Sequence, residues 1–165
     1  MTVLSEMIDR QKPSNDAEWL AAMRETMQII ALAGLYRGGF FDKAAFYGGT
    51  CLRIFHKLDR FSEDMDFSLL KPNSEFTLEP WFDAIKLEFK AAGADISIER
   101  KIKSKESDID SAFLKAETKE YALRLKQDKK LKIKIEVDKN PPLKFQVENN
   151  LLLQPFSFFV KTYTL

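Results

Sequence analysis

Cysteine occurs once in this chain of 165 residues, as Cys51, and histidine once, as His56. A lone cysteine excludes an internal disulfide and fits a reducing compartment, the cytoplasm. A lone histidine argues against a zinc site built on several imidazoles. No apolar run approaches the roughly 18 residues that a membrane span requires. The opening MTVLSEMIDRQKPSND has neither a charged n-region nor an apolar h-region, so neither a signal peptide nor a membrane role is expected. There is no internal repeat and no low-complexity tract. What remains is an ordinary globular composition, 45% hydrophobic and 31% charged, long enough for one domain with a real core.

Net charge is only +1, but it is unevenly spread. Residues 1–98 hold 11 basic and 15 acidic side chains, whereas residues 99–134 hold 12 basic and 7 acidic. A basic central segment suits a polyanion such as RNA. A solvated strand face accounts for the same charges, and composition alone favours that reading, so the patch supports a nucleic-acid role without establishing one.

Apolar residues Trp19, Met23, Met27 and Ile30 recur at helical spacing behind Asp16, which reads as an N-cap. The pattern predicts a helix over residues 17–36, stopped by Gly38 and Gly39. KAAFYGG then reads as a short buried strand over residues 44–47 running into a glycine turn. A short helix over residues 50–57 follows, with Leu52, Phe55 and Leu58 on its buried side. DMDFSLL is a second strand and KPNSEF a loop. Trp81, Ile85 and Phe89 define another amphipathic helix, closed by Gly93. Beyond it the period changes to two: ADISIERKIKS, SAFLKAE, EYALRL and LKIKIEVD predict antiparallel strands, the last stopped by NPP. The apolar tail LLLQPFSFFVKTYTL is expected to pack on something, a domain outside this sequence being one candidate.

The stretch YGGTCLRIFHKLDRFSEDMDFSLL carries polar residues that a packed core does not need. Gly48 and Gly49 stand between a strand and a helix, where missing Cβ atoms let backbone N–H groups approach an anion. Thr50 adds a hydroxyl. Such turns are also common simply for their backbone freedom. Asp64 and Asp66, two apart on a strand, project to one side. Like charges so close repel, and a divalent cation such as Mg2+ relieves them. Two solvated acids at a strand end would look the same. In LKIKIEVD, alternation puts Glu136 and Asp138 together on the face opposite Ile135 and Val137. Were that strand beside the D-x-D strand, three carboxylates would meet, as a two-metal phosphoryl-transfer site requires.

GGT-x-LR, then R-x-S-x-D-x-D-F, then an apolar–acidic–apolar strand resembles the AbiEii/AbiGii-type nucleotidyltransferase toxins, whose superfamily shares a polymerase-β-like palm. The resemblance implies an α+β fold: a palm-like mixed sheet with flanking helices, followed by antiparallel strands. It implies that Gly48, Gly49 and Thr50 grip the nucleotide phosphates, that Asp64 and Asp66 ligate Mg2+ (or Mn2+), and that Glu136 is the third acid, as base or ligand. Asp138 is its reserve. Arg53 would reach the triphosphate, or else pair with Asp59 or Glu63. Arg60 and Ser62 would bind nucleotide or brace the loop before the D-x-D strand. Cys51 reads as packing and His56 as a surface residue. The family continues into a helical region with a lysine and further aspartates, which is expected to be absent here.

The activity so implied is toxin-like transfer of a nucleotide from an NTP to a hydroxyl, with RNA, such as a tRNA 3′ end, as acceptor and a cognate antitoxin as partner in phage defence. Protein as acceptor stays open. So do a non-catalytic palm that binds a nucleotide or a protein and, more remotely, a D-x-D glycosyltransferase.

Overall fold

The computed structural model describes residues 1–60, 62–101, 107–117, 130–142 and 144–165. Helix α1 (Val3–Asp9), which carries no long periodic pattern, is started by a capping box in which Thr2 and Ser5 satisfy each other's backbone N–H groups. Helix α2 (Asp16–Arg37) is capped by the Asn15 side chain, which accepts from the Glu18 N–H. The cap is therefore one residue earlier than expected, and Asp16 lies in the first turn, where its charge favours the helix dipole.

Strand β1 (Ala44–Tyr47) leads into helix α3 (Gly48–His56), followed by β2 (Asp64–Leu69), helix α4 (Phe82–Ala91), and strands β3 (Ser97–Lys101), β4 (Ile109–Glu117) and β5 (Lys130–Asp138). The tail supplies β6 (Val147–Leu152) and β7 (Phe158–Tyr163). The described residues form a seven-stranded sheet in the order β3-β4-β5-β2-β1-β7-β6. The β2–β5 and β1–β7 pairs are parallel and the rest antiparallel. This is the expected mixed sheet with flanking helices and an antiparallel β3-β4-β5 ladder. The strand expected in EYALRL lies outside the described residues.

Two expectations are corrected. Helix α3 begins at the glycines themselves, its most buried residues are Thr50 and Cys51, and Leu58 lies beyond it at 41% exposure. The apolar tail packs on this chain's own sheet: β7 lies beside β1 and buries Phe158 and Val160. Period-two alternation in FFVKTY explains why it makes a strand.

One sheet face is the core. Phe46, Met65, Phe67, Ile133, Ile135, Val137 and Leu114 are buried there with the inner sides of α2 and α4. Phe46 stacks on Phe67 at 4.9 Å between ring centres, and Phe40 meets Phe67 edge-on at 5.1 Å. Helix α2 is buried along much of its length because α4 also lies against it. Their approach is so close that a Cβ at Gly34 would stand 2.8 Å from the Ile85 Cα. Strict alternation sends the intervening polar residues of β2 and β5 to the other face.

Candidate active site

β2 and β5 lie side by side, in parallel, with Asp66 opposite Glu136 and Asp64 opposite Lys134. Met65 and Phe67 point into the core, so Asp64 and Asp66 share the open face with Lys134, Glu136 and Asp138. The neighbourhood of strands on which the carboxylate grouping depended is therefore present. Asp64 is exposed, and Asp66 and Glu136 are half-buried. Burial, and then the charges of Glu136 and Asp64, raise the Asp66 carboxyl above its ordinary value, partly offset by Lys134. The Lys134 ammonium forms an ion pair with Glu136 and also feels Asp64 and Asp66. Among the described residues no three Asp, Glu, His or Cys side chains are drawn together tightly enough to hold a metal ion. The donor set of hard carboxylate oxygens fits Mg2+ or Mn2+, but in this arrangement Glu136 is held on Lys134. Asp138 accepts from the Asn140 N–H at 2.9 Å, turning the chain at the strand end.

The glycine turn abuts the acids. Gly48 has a φ of +84°, and a Cβ there would come within 2.8 Å of the Asp66 Oδ2. Glycine is thus required twice over, by backbone conformation and by the close pass of the carboxylate. A Cβ at Gly49 would lie 3.3 Å from the Ser62 Oγ, so Ser62 stands against this turn. The Thr50 hydroxyl, expected on phosphate, is buried and donates to the Asp64 carbonyl at 2.5 Å. It ties α3 to the start of the D-x-D strand. Arg53 pairs with Glu25 of α2 at 3.2 Å, not with the carboxylates of Asp59 or Glu63, and donates to the Leu58 and Asp59 carbonyls. Arg60 is exposed in the loop between α3 and β2.

Several residues at the site had no strong sequence signal. Gln28, buried in α2, donates to the Ser62 carbonyl at 2.9 Å and anchors the approach to β2. Only its polarity on an apolar helix face hinted at this. Tyr47 stacks on Tyr163 at 4.9 Å, and Phe145 stacks on the same ring at 4.5 Å, forming an aromatic flank beside the acids. Burial, then Asp66 and Asp138, push the Tyr47 phenol up to about 12, so it stays protonated. Cys51 is buried, its Sγ is 3.7 Å from the Phe46 carbonyl, and desolvation pushes its thiol up to about 12, which disfavours the thiolate. His56 is exposed at the end of α3. A groove of about 770 Å³ between α1 and α2 reaches Glu25 and Arg53, but none of the three acids lines it. Those acids stand on the open sheet face instead.

A mixed sheet buried on one side by helices, with a glycine turn against in-register carboxylates on the other, has the architecture of a nucleotidyltransferase palm. Residues 30–165 match the family described as "Nucleotidyl transferase AbiEii toxin, Type IV TA system", and the chain belongs to that family. Two solved structures share the fold. One is the "putative nucleotidyltransferase from H. pylori" (18% identity, TM-score 0.54), whose match covers 88% of this chain and 54% of its own. The other is JHP933 from Helicobacter pylori (20% identity, TM-score 0.52), which covers 88% of this chain and 52% of its own. The chain thus spans about half the length of the solved structures it matches. No curated protein matches it. Among the described residues no helix is long and apolar enough to cross a membrane.

Proposed function

We propose that this chain is the palm of a metal-dependent nucleotidyltransferase that moves a nucleotide from an NTP to a hydroxyl of RNA, a tRNA 3′ end being the favoured acceptor. The observation that carries this reading is the register of Asp66 against Glu136, with Asp64 beside them on the open face. Membership of the AbiEii family supports it. Asp64, Asp66 and Glu136 are the residues to hold Mg2+ or Mn2+. When bound, such an ion lowers the pKa of the attacking hydroxyl and offsets charge on the leaving pyrophosphate.

The chain's own residues do the rest. The acceptor oxygen bonds to the α-phosphorus, and the bond from that phosphorus to the β-bridging oxygen breaks. Pyrophosphate departs, and the hydroxyl proton passes to a base, for which Glu136 is the candidate. Gly48 and Gly49 at the start of α3 offer backbone N–H groups to the phosphates. The lysines of β3–β5, Lys101, Lys115 and Lys132, suit an RNA backbone. The same reading places the protein in the cytoplasm, opposed by a cognate antitoxin. A second reading, a palm that only binds a nucleotide or a partner, is favoured by Thr50 and Arg53 being engaged on Asp64 and Glu25.

The test is label transfer with Mg2+, each α-labelled NTP in turn and total tRNA, beside Asp64→Ala and Asp66→Ala. Label on RNA that disappears in both variants is the expected result. Transfer at wild-type rate in either variant overturns the assignment of the acids. A folded wild-type protein that transfers nothing supports the second reading.

A further inference from the structure

We propose that Lys134 is a tethered cation that occupies the carboxylate face when no nucleotide is bound, and that it makes divalent-ion binding depend on nucleotide binding. The inference rests on the nucleotidyltransferase reading above and deepens it.

Four side chains form a square on the open face: Asp64 opposite Lys134, and Asp66 opposite Glu136. Lys134 therefore stands inside the acidic group. Its ammonium pairs with Glu136 along the same strand, both side chains being 23% exposed, and it is attracted by Asp64 and Asp66 across the strands. That pairing accounts for carboxylates that share a face yet do not close into a metal-holding group. A divalent ion entering this square meets a positive charge already on Glu136, and like charges repel. The ion must displace Lys134 before Glu136 is released.

A second observation comes from β4. Ser111 lies directly opposite Glu136, is fully buried, and its hydroxyl has no hydrogen-bond partner among the described residues. A buried, unspent hydroxyl is costly and needs an explanation. Cross-strand partners on one face stand within side-chain reach. Once Lys134 lets go, the Ser111 hydroxyl is placed to donate to the freed Glu136 carboxylate and hold it. The flexible Lys134 stem can carry its ammonium to triphosphate oxygens, for which a lysine serves as a point charge. Nucleotide thereby rehouses the displaced cation. Metal and nucleotide each favour the other, as linkage requires.

The experiment is direct Mn2+ titration, by calorimetry and by the loss of the free-ion EPR signal, with and without a non-reactive NTP analogue. The wild-type protein is compared with Lys134→Met, Lys134→Arg, Ser111→Ala and Asp66→Asn, each first shown to be folded by circular dichroism. Lys134→Met should bind Mn2+ roughly tenfold more tightly without nucleotide and lose most of the enhancement by the analogue, within the usual range of coupling. Lys134→Arg keeps the charge and should bind like wild type. Ser111→Ala should weaken Mn2+ binding. Equal or weaker Mn2+ binding by Lys134→Met, while Asp66→Asn abolishes binding in the wild-type background, overturns the role of Lys134 alone. Binding indifferent to Asp66→Asn, or no binding under any condition, overturns the metal-site reading as well.

Discussion

Replacing Asp66 with Asn should make the protein more stable and less active at once. The carboxyl is half-buried beside Glu136 and near Asp64, and its pKa is raised by burial first and by those two charges next. Two unit charges about 5 Å apart, the spacing of cross-strand neighbours, interact by about 1 kcal/mol in water and about 3 kcal/mol at an effective dielectric near 20. Partial exposure and the attraction of Lys134 reduce the net effect, so a gain of about 1 kcal/mol is expected in metal-free buffer. For a chain of this size that raises Tm by about 2–4 °C. Asn keeps the shape beside Gly48, so no cavity opposes the gain.

The pH dependence has a definite sign. A folded-state pKa raised above the ordinary 3.8 means that the group's stability contribution is present below that value and is lost as pH rises through the folded pKa. Wild type therefore carries the deficit at neutral pH, and the advantage of Asp66→Asn should be full there and shrink as pH falls toward 4. Thermal unfolding followed by circular dichroism in EDTA, at several pH values, reads this directly. A variant that is less stable than wild type at pH 7.5, or whose advantage grows on acidification, would refute the electrostatic reasoning.

Three further outcomes are expected. Gly48→Ala should lose about 1–2 kcal/mol from its positive φ, with additional loss from crowding the Asp66 carboxylate, read as a lower urea midpoint; an unchanged midpoint would contradict the close approach. Thr50→Val should cost about 1 kcal/mol, since it removes the hydroxyl that holds the Asp64 carbonyl; a rise in KM for NTP with no loss of stability would instead put Thr50 on phosphate. Cys51, buried with its thiol pushed up to about 12, should resist thiol reagents at pH 8 in the native protein and react on unfolding; rapid native labelling would show that α3 opens.

The chain's own periodicities determined much of this protein. Strands β1 and β2, the extent of α2 to within a residue at each end, and the sharing of one face by Asp64 and Asp66 all follow from spacings of two and of three to four residues, which act locally. The acidic alternation of β5 likewise put Glu136 and Asp138 opposite Ile135 and Val137. Helix α1 leaves no periodic signature, because a short helix held by a Thr2–Ser5 capping box has too few turns to show one.

Only the tertiary structure decided which strands are neighbours and in what register. Asp66 meets Glu136 because β5, about seventy residues later in the chain, returns parallel to β2; strand periodicity carries no label for its partner. The same holds for β7, which reaches β1 and buries the apolar tail on this chain's own sheet. Arg53 chose Glu25 on α2 over the nearer Asp59 and Glu63, because helix packing brings that carboxylate to within 3.2 Å. Lys134, an ordinary polar residue of an alternating strand, became the cation among the acids for the same reason: alternation selects a face, and long-range pairing selects the company on it.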